Sequence, residues 1–87
     1  SIARERVITI FIQLEDQKGS LATILRTVSE AKCNVLTIHQ TIPVQGRANV
    51  TLSLDVTEVQ PSLEQFIRQL KSVPFIDSVH LISSGAL

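Results

Sequence analysis

Apolar and polar residues alternate along four stretches of the chain, which is the pattern of a β-strand with one buried face. The most regular alternation runs from Ala48 to Val56, where the intervening residues are Asn, Thr, Ser and Asp. From Asn34 onward, the alternation divides the residues into one face with Leu36 and Ile38 and another with Val35, Thr37, His39 and Thr41. We predict strands at residues 7–14, 34–42, 48–56 and 78–82.

Two other stretches repeat their apolar residues every three or four positions, as an amphipathic helix does. The first begins just after Gly19, and we expect Ser20 to be its N-cap. The second begins near Pro61, a residue that suits the first turn of a helix, and Pro74 ends it. The apolar residues are Leu21, Ile24, Leu25, Val28 and Ala31 in the first helix, and Leu63, Phe66, Ile67 and Leu70 in the second.

The order strand, helix, strand, strand, helix, strand predicts an α+β fold, the ferredoxin-like βαββαβ sandwich. Right-handed crossovers then give a four-stranded antiparallel sheet in the order 4-1-3-2, with both helices on one face. The second and fourth strands lie at the edges of this sheet. We expect a single domain over residues 1–87 with a core at about 7–84. Because the chain starts at Ser1 and contains no Met, we expect it to be a fragment of a longer protein.

Composition narrows the classes of function. Eight Lys and Arg residues balance eight Asp and Glu residues, so no net charge attracts nucleic acid or an anionic membrane. The apolar runs are far shorter than the roughly 20 residues of a membrane-spanning helix, and we expect no membrane partner. One cysteine, Cys33, has no disulfide partner within the chain, which favours a reducing cytoplasm. With 44% hydrophobic residues, the chain has apolar surface for a partner as well as a core.

Few side chains offer catalytic or metal chemistry. We expect Cys33 to be a buried structural residue. His39 and His80 fall on the two edge strands, three spacings of about 4.8 Å apart, so they cannot share a metal ion within one copy. The sequence of residues 44–47 resembles the phosphate loop of acylphosphatases, but that loop should follow the first strand. Phe11 is the only aromatic expected on the open sheet face, which argues against RNA binding, and we expect no metal and no cofactor.

The junction between the first strand and the first helix has the properties of a small-molecule site. A helix N-terminus offers unpaired N–H groups and a partial positive charge, both of which suit a carboxylate. Asp16, a few residues earlier, suits an ammonium group, so the two together suit a zwitterionic amino acid. The alternative is that Asp16 only caps the turn and Gly19 only permits its geometry.

The same junction resembles a family motif. Asp16-x-x-Gly19-x-Leu21 is similar to the Asp-x-Pro-Gly-x-Leu motif that opens the first helix of ACT domains. Asn34 and Val35 are similar to the Asn-Ile pair that begins the second strand of that family, and residues 36–51 look most like the small PheB-type ACT proteins. The resemblance covers residues 7–84 and implies a regulatory, amino-acid-sensing domain rather than an enzyme.

The resemblance also implies where a ligand lies. In ACT domains the ligand commonly binds where the loop after the first strand of one subunit meets the second strand of its neighbour. For this chain that implies a homodimer or higher homo-oligomer through the second strand, with ligand binding coupled to dimer geometry. The residues assigned to the ligand are Asp16, Gln17, Lys18, Gly19, Ser20 and Leu21 from one copy, and Asn34, Leu36 and Ile38 from the other.

Two residues depart from the family pattern. Lys18 stands where the family has Pro, and Lys32 stands where many members have Gly at the end of the first helix. If the chain turns left-handed at Lys32, a non-Gly residue costs about 1–2 kcal/mol there. An alternative function is therefore a ligand-free dimerisation or assembly module that uses the open sheet face around Phe11. The chorismate mutase activity attached to the PheB name needs clustered cations, and the arginines of this chain are scattered over different elements.

Overall fold

The fold is a four-stranded antiparallel sheet with two helices. The computed structural model describes residues 5–86. Its elements are β1 (Arg6–Glu15), α1 (Ser20–Glu30), β2 (Asn34–Gln40), β3 (Arg47–Asp55), α2 (Leu63–Lys71) and β4 (Ile76–Ala86). The sheet order is β2-β3-β1-β4, and all three pairings are antiparallel. The predicted ferredoxin-like βαββαβ fold and its strand order are confirmed.

The hydrophobic core lies between the helices and one face of the sheet. Alternate residues of β1 and β3 pair directly across that face, as Ile10 does with Leu52 and Ile12 with Val50. The side chains at these positions are at most 3% exposed, which is the alternation that the sequence predicts. The helices cover this face with their own buried residues, which are Ile24 and Val28 from α1 and Phe66 and Leu70 from α2.

Strand β4 is longer than the predicted 78–82. It runs from Ile76 to Ala86 and pairs with β1 from Arg6, opposite Ala86, to Leu14, opposite Ile76. Its register with β1 shifts twice, once between Thr9 and Ile10 and once between Gln13 and Leu14. At each shift β4 contains an extra residue, so its side chains do not alternate between the two faces of the sheet along its whole length.

Strand β2 contains a bulge that changes which of its side chains share a face. Val35 lies opposite Leu54 and Thr37 lies opposite Ser53, so Leu36 is an extra residue in β2. Val35 therefore shares the helix-covered face with Ile38, which lies opposite Leu52. The predicted grouping of Val35 with Thr37 and His39 is wrong, because a one-residue bulge at Leu36 shifts the alternation by one position between Val35 and Thr37.

The connection between β2 and β3 ends in a tight turn. Val44 and Arg47 exchange backbone hydrogen bonds of 2.9 and 3.0 Å around Gln45 and Gly46. Both central residues have positive φ, 52° at Gln45 and 75° at Gly46, which is the conformation of a type I′ turn. This turn lies at the end of the sheet where β1 ends and α1 begins.

Helix α1 ends in a Schellman motif with a lysine at its left-handed position. The N–H of Cys33 donates to the carbonyl of Val28 at 3.1 Å, and the N–H of Lys32 donates to the carbonyl of Ser29 at 3.0 Å. Lys32 has a φ of 62°, where glycine is the favoured residue. The left-handed turn considered in the sequence analysis is therefore present.

The sheet face away from the helices is mostly polar. One row across the strands consists of Thr37, Ser53, Thr9 and Ser83. The hydroxyl oxygens of Thr9 and Ser53 lie 3.0 Å apart in a hydrogen bond. Phe11 is half-buried, with its ring centroid 6.5 Å from that of His80. This face is not an extended apolar surface, so apolar assembly through it has little support.

Candidate functional site

The loop between β1 and α1 is held at the end of the sheet by two backbone hydrogen bonds. The N–H of Glu15 donates to the carbonyl of Phe75 at 2.8 Å, which joins the end of β1 to the segment before β4. The N–H of Asp16 donates to the carbonyl of Gly46 at 2.7 Å, which joins the loop to the type I′ turn. A third bond of 3.1 Å, from the N–H of Ser20 to the carbonyl of Gln17, closes the loop on itself.

Gly19, and not the predicted Ser20, is the N-cap of α1. Its φ of 81° is left-handed, and no side chain caps the first turn of the helix. Ser20 is the first helical residue and is only 5% exposed. Because glycine has no side-chain acceptor, the N-cap residue leaves the first-turn N–H groups free of the usual capping bond. This arrangement keeps backbone donors available at the helix N-terminus.

The predicted loop residues divide into an exposed group and a buried group. Asp16, Gln17, Lys18 and Gly19 are exposed, whereas Ser20 is buried and Leu21 packs against the core. Only the first four therefore offer surface to a ligand, and Ser20 and Leu21 position the helix beneath it. Two surface grooves, with volumes of about 370 and 380 Å³, are lined by residues of α2 and β4 and not by this loop.

The structure of one copy does not bring the loop together with the predicted β2 residues. Asp16 lies beside Gly46, directly before β3, whereas Asn34 lies opposite Asp55, the last residue of β3. The eight residue steps between the two ends of β3 span roughly 27 Å at about 3.4 Å per residue. Asn34, Leu36 and Ile38 are all exposed, with exposed fractions of 48% at Leu36 and 44% at Ile38. A site that uses both groups therefore needs a second copy.

An ion pair that the sequence reasoning missed lies at the loop end of the sheet. Arg47 Nη1 lies 2.6 Å from Asp77 Oδ2, and Arg47 is the residue opposite Glu15 on β1. Both side chains are about half exposed, so the pair contributes at most about 1 kcal/mol. It joins the starts of β3 and β4 beside the loop. The sequence carries no local signal for it, because the partners are 30 residues apart.

The two histidines lie far apart on the sheet. His39, Thr51, Phe11 and His80 follow one another across the four strands, so the histidines are three strand spacings, or roughly 14 Å, apart. Between residues 5 and 86, no group of three or more His, Cys, Asp or Glu residues is arranged to hold a metal ion. Over the same residues, no helix is long and apolar enough to cross a membrane.

Cys33 is a buried free thiol at the end of α1. It is 5% exposed and its sulfur contacts the carbonyl of Ala31 at 3.7 Å. Burial, together with the nearby negative charge of Asp55, raises the pKa of the Cys33 thiol to about 11. The thiol is therefore protonated at neutral pH, which is the state of a structural cysteine rather than of a nucleophile.

Comparison with known proteins identifies the family. A sequence model of the ACT domain matches residues 3–80. The chain belongs to the ACT domain family. ACT domains are regulatory ligand-binding domains, and the regulatory subunit of aspartate kinase from Thermus thermophilus has the same fold, with a TM-score of 0.64 at 21% identity over 88% of this chain and 50% of that one.

Curated relatives carry the same domain name. A UPF0735 ACT domain-containing protein of Lysinibacillus sphaericus is 61% identical over the whole chain, and one of Geobacillus kaustophilus is 44% identical over 85 residues, or 98% of the chain. The chain spans only 55% and 58% of the length of these two relatives. Among solved structures, the ACT domain from GTP pyrophosphokinase of Chlorobium tepidum matches with a TM-score of 0.71 at 21% identity, covering 90% of this chain and 99% of that one. The specific likeness to PheB-type members stays a prediction.

Proposed function

We propose that this ACT domain binds an amino acid between two copies of the chain that pair through β2. Binding then favours one geometry of the pair over others, which is how a ligand site is coupled to a partner domain. The observation that carries the proposal is the exposed loop of residues 16–19, which contains the carboxylate of Asp16 and leads directly into a helix N-terminus that no side chain caps. Cys33 is a free cysteine, which is typical of a reducing compartment, and we propose that the protein is cytoplasmic.

The β2 edge supports pairing because none of its side chains repels a second strand by charge, and its bulge is confined to one position, Leu36. All seven residues of β2 are exposed, and none of them carries a formal charge at pH 7 with His neutral. Val35, Leu36 and Ile38 present apolar side chains there that are 36%, 48% and 44% exposed. Exposed edge strands are usually protected by lysine, proline or a covering segment. An uncharged apolar edge of this kind favours association with a second copy.

Antiparallel pairing of β2 with β2 unites the two halves of the predicted site. In such a pair, the Asn34 end of one strand lies beside the Gln40 end of the other. Gln40 leads into the hairpin whose turn contacts Asp16 through Gly46. The loop of each copy therefore lies at the same end of the joint sheet as Asn34 of the second copy, and a twofold axis gives two equivalent sites.

The chemistry of the two halves matches an amino acid. The first-turn N–H groups of α1 and its dipole suit the ligand carboxylate. The exposed carboxylate of Asp16 suits the ligand ammonium group, and Leu36 and Ile38 of the second copy offer apolar contact to its side chain. Lys18, which replaces the proline of the family motif, adds a cation beside the carboxylate position.

A thermal-shift screen of the twenty amino acids at millimolar concentration tests the proposal. Ligand at 100 times its Kd stabilises the folded protein by about 2.7 kcal/mol, which for a chain of this size raises Tm by roughly 10 °C or more. A hit that is lost in Asp16→Asn and kept in the surface control Glu58→Gln supports the site. If no amino acid raises Tm and no amide resonance of residues 16–20 moves in NMR titrations, the proposal fails.

A second candidate function is a ligand-free assembly module. Lys18 and the strained Lys32 both depart from the family pattern, and the two grooves beside α2 and β4 lie away from the loop. In that case Asp16→Ala leaves the molar mass in solution unchanged, whereas Ile38→Lys dissociates the β2 pair. A flat amino-acid screen with an intact dimer by light scattering selects this function over the first.

A further inference from the structure

The opposite edge of the sheet, formed by β4, is open as well. No strand of the described chain pairs with β4 on its outer side, since the sheet order ends there. Its eleven residues include one charged side chain, Asp77, and no lysine. Leu81 and Ile82 are 55% and 57% exposed. The strand therefore presents unpaired backbone groups and apolar side chains together, and it carries no lysine or proline that protects an edge; its two irregularities lie at the register shifts with β1.

A groove runs along this edge between β4 and α2. It has a volume of about 380 Å³. Its apolar lining consists of Leu63, Ile67, Val79 and Leu81. Its charged lining consists of three side chains of α2, which are Glu64, Arg68 and Lys71. A neighbouring depression of about 370 Å³ follows the strand from Ile76 to His80 and shares Lys71 and Val79 with the groove. The edge thus combines an open strand with an apolar groove beside it.

The charges that line the groove are ordered along α2. Glu64 lies in the first turn of the helix, whereas Arg68 and Lys71 lie in the last turn. A twofold axis that pairs β4 with a second β4 also sets α2 antiparallel to a second α2. Glu64 of each copy then faces Lys71 of the other, and the apolar Ile67 side chains meet near the axis. The charges of two antiparallel α2 helices are therefore complementary, whereas two parallel α2 helices would bring like charges together.

We propose that the α2–β4 edge is a second self-association surface, which binds another copy of this chain through antiparallel β4 strands and antiparallel α2 helices. Two antiparallel helices pack at interaxial distances of about 8–10 Å, with apolar contacts flanked by charged ones. This inference is separate from the ligand site and from pairing through β2. If both edges pair, each copy contacts two others through twofold interfaces, so closed assemblies contain an even number of copies greater than two.

The experiment measures molar mass by light scattering and sedimentation velocity over a range of chain concentrations. The variant Leu36→Lys places a charge on the β2 edge, so any association that it retains reports on the α2–β4 edge. We expect Leu36→Lys to form a dimer. In this background, Glu64→Lys or Lys71→Glu alone sets like charges opposite each other twice per dimer and weakens association by about tenfold or more. The double variant with both charges exchanged restores the opposite-charge contacts and is expected to recover the dimer.

Each outcome bears on the proposal. A Leu36→Lys chain that stays monomeric at all concentrations overturns it and points to a different occupant of the groove. Single charge reversals without effect, or a charge exchange that does not restore association, overturn the antiparallel α2 contact. Since Glu64 and Lys71 are exposed, the fold is expected to survive, and cooperative thermal unfolding by circular dichroism verifies this. Should a single variant not fold, weakening of the Leu36→Lys dimer by salt measures the same ion pairs, and a dimer indifferent to salt contradicts them.

Discussion

The strained end of α1 yields the prediction that depends most directly on backbone geometry. Lys32 has a φ of 62° and occupies the left-handed position of the Schellman motif. A non-Gly residue in this conformation costs about 1–2 kcal/mol. Glycine removes that strain but loses more entropy on folding than other residues do, by about 0.5–1 kcal/mol. We therefore expect Lys32→Gly to raise the free energy of unfolding by about 0.5–1 kcal/mol.

Chemical unfolding in urea and thermal unfolding measure this gain. A stabilisation of about 1 kcal/mol raises Tm by about 4–8 °C for a domain of 60 to 100 residues. The comparison uses one chain concentration, because self-association makes Tm depend on concentration. The Schellman hydrogen bonds come from backbone atoms, so the substitution leaves them in place.

The matched control is Lys32→Ala, which removes the same exposed side chain but keeps a Cβ in the left-handed conformation. We expect its free energy of unfolding to lie within about 0.5 kcal/mol of that of the wild type. If both variants gain stability equally, the lysine side chain and not the backbone strain is responsible. If Lys32→Gly is no more stable than the wild type, the strain at this position is not as large as the dihedral angle indicates.

Three further predictions follow from other positions. Gly19→Ala places a Cβ at a φ of 81° with no atom within 4 Å, so it lowers the free energy of unfolding by about 1 kcal/mol through backbone conformation alone, and a larger loss in urea unfolding contradicts this. Asp55 accepts hydrogen bonds from the hydroxyl and the N–H of Thr57, and both bonds lower the pKa of its carboxyl group. A lowered carboxyl pKa stabilises the fold at neutral pH, and this stabilisation is lost as pH falls through the folded-state pKa. We therefore expect Thr57→Val to raise the Asp55 pKa in a carboxyl NMR titration and to reduce the stability that the protein loses on acidification. Because the pKa of the Cys33 thiol is raised from 9.0 to about 11, its thiolate population at pH 8 falls about 100-fold, and reaction with a disulfide reagent is expected to be at least that much slower than in urea-unfolded chain.

The fold is predictable from the sequence because its core uses two simple periods. The alternation of Ala48 to Val56 and the helical stripe from Leu21 to Ala31 both identify buried faces that the structure contains. The pattern fails where the backbone departs from a regular strand. At Leu36 a bulge changes the face of the following residues, and no residue type in that stretch marks it. The full length of β4 cannot be predicted from the sequence for the same reason, because two register shifts with β1 interrupt its alternation.

The candidate site is predictable only in part because its halves depend on different kinds of information. The loop is visible in the sequence through Asp16 and Gly19, and the left-handed φ of Gly19 explains why a glycine stands there. The hydrogen bond from Asp16 to Gly46 depends on tertiary structure, since these two residues are far apart in the chain. The role proposed for Asn34 depends on a second copy, and the sequence of one chain points to that copy only through the uncharged edge of β2.

The pairing of Arg6 with Ala86 has a consequence for how the domain is tethered. The first and last described strands lie side by side, and the described chain leaves the sheet where it entered. That end is opposite the loop of residues 16–19, because β1 runs the length of the sheet between them. Polypeptide that continues from either end of the described chain therefore leaves at one pole of the domain, whereas the loop where we propose that an amino acid binds lies at the other. An effect of the proposed ligand on polypeptide attached beyond Arg6 or Ala86 is therefore expected to cross the length of the sheet.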